Sequence, residues 1–186
     1  MPTVADYLAT QLKHAGVTIV YGLPGGENVE ILDAIRRQNI EFMLVKNESS
    51  AIYMAGTHAR LTGGIGVALT TLGPGATNAY VGLAHAYLDR EPVLLITAQT
   101  DPHLIGTHTH QVLDLQACFA PVTRFTAELS SDNAASVCYN PVDHAPYTSA
   151  STIGSPYKTS HNHNQRLSRI KPHMTTSTTQ STSCAR

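Results

Sequence analysis

The sequence predicts an α/β domain: a parallel sheet with helices on both faces. Three observations predict it. Helix-like and strand-like stretches alternate in the order α-β-α-β-α-β-α-β. The strand-like stretches are short and apolar throughout, the pattern of strands covered on both faces. Gly/Pro turns follow two of them, Gly22-Leu23-Pro24-Gly25-Gly26 and Leu72-Gly73-Pro74-Gly75.

Each element has a local reason. Val4 to Ala15 carries apolar residues at 4, 5, 8, 9 and 12, one helix face. Thr3 is its N-cap and Gly16 its stop. Val17 to Tyr21 is a short β-branched strand. Glu27 to Gln38 is a helix with Val29, Leu32 and Ile35 apolar and Arg36-Arg37 at its C-terminus. Ile40 to Val45 is expected to be a buried strand, stopped by Lys46-Asn47-Glu48. A helix follows, with Ile52, Ala55, Ala59 and Leu61 at steps of three and four, ended by Gly63-Gly64. Ile65 to Thr71 is a strand, Ala76 to Leu88 a helix and Pro92 to Thr97 a fourth strand. His103 to His110 reads as loop, Val112 to Phe119 as a short helix and Val122 to Ala127 as a last strand.

A chain of 186 residues fits one domain with a sizeable core. Formal net charge is −1, which implies neither nucleic acid nor an acidic membrane surface. Cys118, Cys138 and Cys184 form no CxxC pair, so neither a disulfide framework nor a zinc knuckle is suggested. The first residues lack a basic and apolar leader, and no apolar run reaches spanning length; a cytoplasmic location is expected. Charge is uneven along the chain. Residues 1–143 hold seven Lys and Arg against thirteen Asp and Glu, a balance of −6. Residues 144–186 hold five Lys and Arg and no acid. That end is rich in Ser, Thr, His and Asn with almost no apolar period. The expected organisation is therefore a domain over 1–129 and a disordered stretch over 130–186.

The chemistry points to one carboxylate. Glu48 stands where an apolar strand ends and a helix begins. In open α/β sheets the carboxyl edge of the strands is where ligands bind. A cap or a complement to the helix dipole is the plainer role for such a residue. Pro24-Gly25 and Thr71 to Asn78 also follow strands, so three strand ends are expected to converge on one edge. Neither Gly/Pro turn is a phosphate loop, because GxxxxGK[ST] and GxGxxG are both absent. His103, His108 and His110 in one loop, with His161 and His163 further on, lack a cysteine or carboxylate at ligand spacing, and no metal site is expected. Ser49-Ser50 lies outside any GxSxG elbow and reads as capping or packing.

Four motifs carry a resemblance. They are Val20-Tyr21-Gly22-Leu23-Pro24-Gly25-Gly26, Lys46-Asn47-Glu48-Ser49-Ser50-Ala51-Ile52-Tyr53-Met54-Ala55-Gly56, Thr70-Thr71-Leu72-Gly73-Pro74-Gly75-Ala76-Thr77-Asn78, and Ala86-Tyr87-Leu88-Asp89-Arg90-Glu91-Pro92 through Thr97-Ala98-Gln99. In order and spacing they resemble the N-terminal pyrimidine-binding domain of thiamine-diphosphate enzymes, most of all the acetolactate synthase branch. The resemblance implies that Glu48 hydrogen-bonds N1′ of the cofactor's aminopyrimidine and favours its imino tautomer, which removes the proton from thiazolium C2. It implies that Pro24 and Gly25 border the pyrimidine, that Thr71 and Asn78 line the site, and that Gln111 approaches from the partner side. An apolar, water-poor pocket is the physical requirement, and Met43, Val45, Ile52 and Met54 are expected to supply it. A dimer, or pairing with a full-length homologue, is also implied.

Departures set limits. Gly106, Thr107, Gln111 and Asp114 match the family pattern before the last helix, but His110 replaces an aromatic residue and Val112 an acid. A relative acting on another 2-keto acid or an acyl-CoA is an alternative. The Gly-Asp-Gly pattern that holds Mg²⁺ and the diphosphate in the family, and the domains that carry FAD in its branch, are not in this sequence. Residues from about 130 onward are expected not to be family sequence, the signature of a frameshift, a mis-spliced exon or a truncated gene. The chain is thus expected to be inactive alone, or to be a non-catalytic fragment that pairs with a full-length homologue.

Overall fold

In the computed structural model of the chain, residues 3–100, 104, 107, 111–134 and 149–154 are described. Gly106, His103, His108, His110, His161, His163, Cys138, Cys184 and most of 130–186 lie outside them.

Helix α1 (Val4–His14) opens with a capping box. The Asp6 N–H donates to Thr3 Oγ1 at 3.1 Å, and the Thr3 N–H donates to Asp6 Oδ2 at 2.9 Å. Strand β1 (Ile19–Gly22) leads through a 3-10 turn (Gly26–Asn28) to α2 (Val29–Arg37). Strand β2 (Glu41–Leu44) is followed by the longest helix, α3 (Glu48–Thr62), and by β3 (Gly66–Thr70). The stretch predicted as one helix over 76–88 is two, α4 (Pro74–Asn78) and α5 (Tyr80–Leu88). At the join the Ala79 N–H donates to the Ala76 carbonyl, a three-residue step that tightens the turn. Strand β4 (Val93–Gln99), α6 (Leu115–Phe119) and β5 (Phe125–Leu129) follow. Asp114 caps α6, accepting from the Ala117 N–H at 2.9 Å, so that helix starts later than predicted.

Among the described residues these five strands and a sixth, β6 (Ser149–Gly154), form one parallel sheet, ordered β2-β1-β3-β4-β6-β5. Strand β6 (Ser149–Gly154) lies in the stretch expected to be disordered, yet its backbone pairs with both β4 and β5. Strand side chains alternate between two cores. Val20, Val67, Leu69, Leu94 and Ile96 pack with α1 and α2 on one face. Tyr21, Ala68, Val93 and Leu95 pack with α3, α5 and α6 on the other. The unbroken apolar runs from Val67 to Leu69 and from Val93 to Ile96 are thereby accounted for: each face needs its own set. A fully buried Leu or Ile in either set contributes about 1.5–3 kcal/mol.

One expectation is corrected. β2 is not a buried strand. It is last in the sheet order with β1 as its neighbour, and Leu44 is 64% exposed. Its apolar sequence reflects the sheet, while its exposure reflects its edge position.

Candidate functional site

All strands run the same way, so the C-terminal ends of β1, β2 and β3 lie at one edge and are adjacent in the order β2-β1-β3. The predicted convergence follows from that topology. Leu23 to Gly25 continues from β1, Glu48 begins α3 shortly after β2, and Thr71 leaves β3.

Glu48 is the first residue of α3 and is half-buried. Asn47 is the N-cap, its Oδ1 accepting from the Ser49 N–H at 2.9 Å. A carboxylate there faces the positive end of the helix dipole. Asn78, at the end of α4, donates its side-chain amide to Glu48 Oε2. The Ser49 hydroxyl donates to the Asn78 main-chain carbonyl. These residues border an open cleft of about 530 Å³ lined by Glu48, Pro74, Gly75, Thr77 and Asn78. Glu48 is the one charged residue among them.

Gly75, one of the lining residues, packs closely on Thr71. A methyl group there would fall 2.1 Å from Thr71 Oγ1 and 3.5 Å from Glu48 Oε1. Thr71 also meets the first turn: a methyl on Gly25 would lie 2.3 Å from Thr71 Cγ2. Gly25, Thr71, Gly75, Glu48 and Asn78 therefore form one contiguous set. Gln111 is exposed and its backbone packs on Gly73, next to the cleft residue Pro74. Pro24 is not in the lining of this cleft. It borders a separate apolar cleft with Leu32, Ile35, Arg36, Ile40, Phe42 and Leu44.

The expected apolar surroundings of Glu48 are also corrected. Val45 and Ile52 are buried in the core, whereas Met43 and Met54 are 37% and 39% exposed. None of the four is in the cleft lining, and the cleft is open on one side. The sheet edge brings together backbone turns and polar ends; none of these four side chains lines the cleft.

Two supporting residues escaped the sequence reading. Asn28 is 2% exposed, its Oδ1 accepting from the Gly25 N–H at 2.9 Å and its Nδ2 donating to the Leu23 carbonyl at 3.0 Å. It fixes the first turn. It stands at the N-cap of α2, yet its side chain makes no cap hydrogen bond to that helix and folds back onto the turn. Ser49 ties α3 to α4, a role that only the tertiary contact reveals.

Other titratable groups sit apart. Tyr21 lies 3.2 Å through its hydroxyl from His58 Nδ1, and burial, then Glu41, push that hydroxyl above the ordinary tyrosine range. His85, Asp89 and Glu91 gather at the end of α5. Arg60 lies 3.2 Å from Glu91 Oε1 and 4.0 Å from Asp89 Oδ2, so a cation is already in place there. No helix of the described residues is long and apolar enough to cross a membrane.

The fold is a doubly covered parallel α/β sheet, with the Glu48 carboxylate and an open cleft at its carboxyl edge. The chain belongs to the family described as thiamine pyrophosphate enzyme, N-terminal TPP binding domain, whose profile matches residues 2–118. It is similar to the acetolactate synthase large subunit of Lactococcus lactis subsp. lactis, 39% identical over 130 residues, covering 69% of this chain and 23% of the relative. Against the acetolactate synthase large subunit of Haemophilus influenzae it is 40% identical over 121 residues, 64% of this chain and 21% of the relative. Against the probable acetolactate synthase large subunit of Methanocaldococcus jannaschii it is 35% identical over 125 residues, 67% of this chain and 21% of the relative. The chain thus spans less than a quarter of the length of these relatives.

Proposed function

We propose that this chain is the pyrimidine-binding portion of an acetolactate-synthase-like enzyme, and that Glu48 is its catalytic carboxylate. The observation that carries the reading is Glu48 at the N-terminus of α3, beside Thr71, Gly75 and Asn78, over an open cleft at the carboxyl edge of the sheet.

The cleft suits one end of thiamine diphosphate. Its lining glycine admits a flat ring against the backbone, and its carboxylate accepts from a ring nitrogen. The cleft lining holds no cation to meet a diphosphate, and Glu48 is its one acid to meet Mg²⁺. The pyrimidine is therefore the part these residues hold. The cofactor, when bound, supplies an acidic thiazolium carbon and an electron sink. Glu48 holds a proton at the pyrimidine nitrogen, Asn78 steadies the carboxylate, and Gly25 with Thr71 borders the ring. The open side of the cleft is where further protein would exclude water and make this proton exchange effective.

Acetolactate formation from 2-keto acids then requires the rest of the enzyme that the relatives possess. Titration of the chain with thiamine diphosphate and Mg²⁺, followed by calorimetry or NMR, tests the reading. Weak binding that Glu48→Gln diminishes is expected. Binding untouched by that change would overturn the assignment of Glu48, and pyruvate consumption by the chain alone would overturn the need for completion.

A second reading has its own observation. α3 and α5 expose Tyr53, Met54, Leu61, Val81 and Leu88, with Tyr53 set edge-on to His85 at 5.2 Å. That apolar surface favours pairing with a full-length homologue or a second copy. Light scattering of the chain alone and mixed with such a homologue distinguishes the two.

A further inference from the structure

The two oxygens of Glu48 have different surroundings. Oε2 accepts the side-chain amide of Asn78. Oε1 lies on the Gly75 side, 3.5 Å from where a methyl group on Gly75 would stand. The same Asn78 accepts, through its main-chain carbonyl, the hydroxyl of Ser49. The first two residues of α3 are thus held by the last residue of α4 through two hydrogen bonds. Asn47 adds a third restraint by capping the Ser49 N–H.

We propose that Asn78 is a positioning residue. It occupies Oε2 and turns Oε1 alone toward the ligand, which makes Glu48 a one-point acceptor. This rests on the reading of the cleft as a pyrimidine site and sharpens what that site selects. A heteroaromatic ring with one donor nitrogen is satisfied by one oxygen. A fork of two parallel donors, such as a guanidinium or amidinium, wants both oxygens and meets one already taken. The amide also fixes the carboxylate rotamer before any ligand arrives, which reduces the ordering that binding must supply. Asn78 therefore acts through Glu48 rather than on the ligand.

NMR of the ¹⁵N-labelled chain tests this in two arms. In the free protein, one proton of the Asn78 side-chain amide is expected downfield, and Glu48→Ala is expected to return it toward the unbonded position. An amide indifferent to Glu48→Ala would overturn the clamp, whatever the cofactor does. The second arm is a double-mutant cycle on the affinity for thiamine diphosphate with Mg²⁺. Asn78→Ala is expected to weaken binding by about three- to tenfold in the otherwise unchanged chain and by less than twofold beside Glu48→Ala. Equal losses in both backgrounds would place Asn78 on the ligand and overturn the proposal. Should Asn78→Ala not fold, Asn78→Asp is the near-isosteric alternative. It sets a carboxylate against Glu48 and is expected to weaken binding at least as much; unaltered affinity would overturn the proposal. Cofactor-free behaviour as expected, with no response to thiamine diphosphate at all, would overturn the pyrimidine reading while supporting the clamp.

Discussion

Gly73 and Gln111 lie against each other with both backbones left-handed, at φ 55° and 61°. A methyl group on Gly73 would stand 2.5 Å from the Gln111 carbonyl oxygen and 2.8 Å from its Cβ. The turn after β3 and the segment before α6 are thereby packed backbone to backbone, next to the cleft. Gly73→Ala adds strain at positive φ to a direct clash. It is expected to lower stability by about 2–4 kcal/mol. Urea denaturation checks it; a loss below about 1 kcal/mol would mean the two segments separate easily.

Thr97 is fully buried in β4, and among the described residues its hydroxyl has no hydrogen-bond partner. Removing an unsatisfied buried hydroxyl while keeping the side-chain shape recovers its desolvation cost. Thr97→Val is expected to raise stability by about 1 kcal/mol, against the usual sign for core mutations. A lower thermal midpoint in the variant would show that the hydroxyl finds a partner in solution.

Arg60, near the end of α3, pairs with the Glu91 carboxylate at 3.2 Å, and that side chain is 6% exposed. A neutral residue at 60 withdraws the guanidinium from a buried acid. Arg60→Ala is expected to cost about 1–3 kcal/mol, and Arg60→Lys less. Equal stability for Arg60→Ala would place the charge balance of Glu91 elsewhere.

The hydrogen bond from the Thr3 backbone, chiefly, holds the Asp6 carboxyl below the ordinary aspartate range; Arg37 adds to it. Arg36 first, with Arg37, does the same for Asp33. A depressed folded value stabilises above the unfolded value and is lost as pH falls through the folded one. Stability is therefore expected to fall from about pH 4 downward. Asp6→Asn should flatten part of that slope, by a small amount because the pair is solvent-screened. Thermal melts between about pH 3 and 6 measure it; an unchanged slope would assign the acid response to other carboxylates.

Much of this molecule was legible in its residues, for physical reasons that differ by position. Thr3 and Gly16 mark the ends of α1 because capping and left-handed stops are local, and φ of Gly16 is 80° as a stop requires. The place of Glu48 at the sheet edge was readable because a parallel sheet puts every strand end on one edge. Its surroundings were not. Met43 and Met54 look like pocket residues in sequence, but strand alternation and helix rotation turn them outward. The exposure of β2 depends on strand order, which no local pattern encodes. Asn28 and Ser49 act through partners that only the fold brings close.

That β2 edge also bears on handling the protein. Among the described residues it pairs with β1 alone, with Met43 and Leu44 at the surface. A parallel strand with a bare outer rim can seed sheet growth from one molecule to the next. Sample concentration should therefore reach its ceiling through this rim before the cleft is affected. A lysine in place of Leu44 is the economical remedy, since it charges the rim without touching either core.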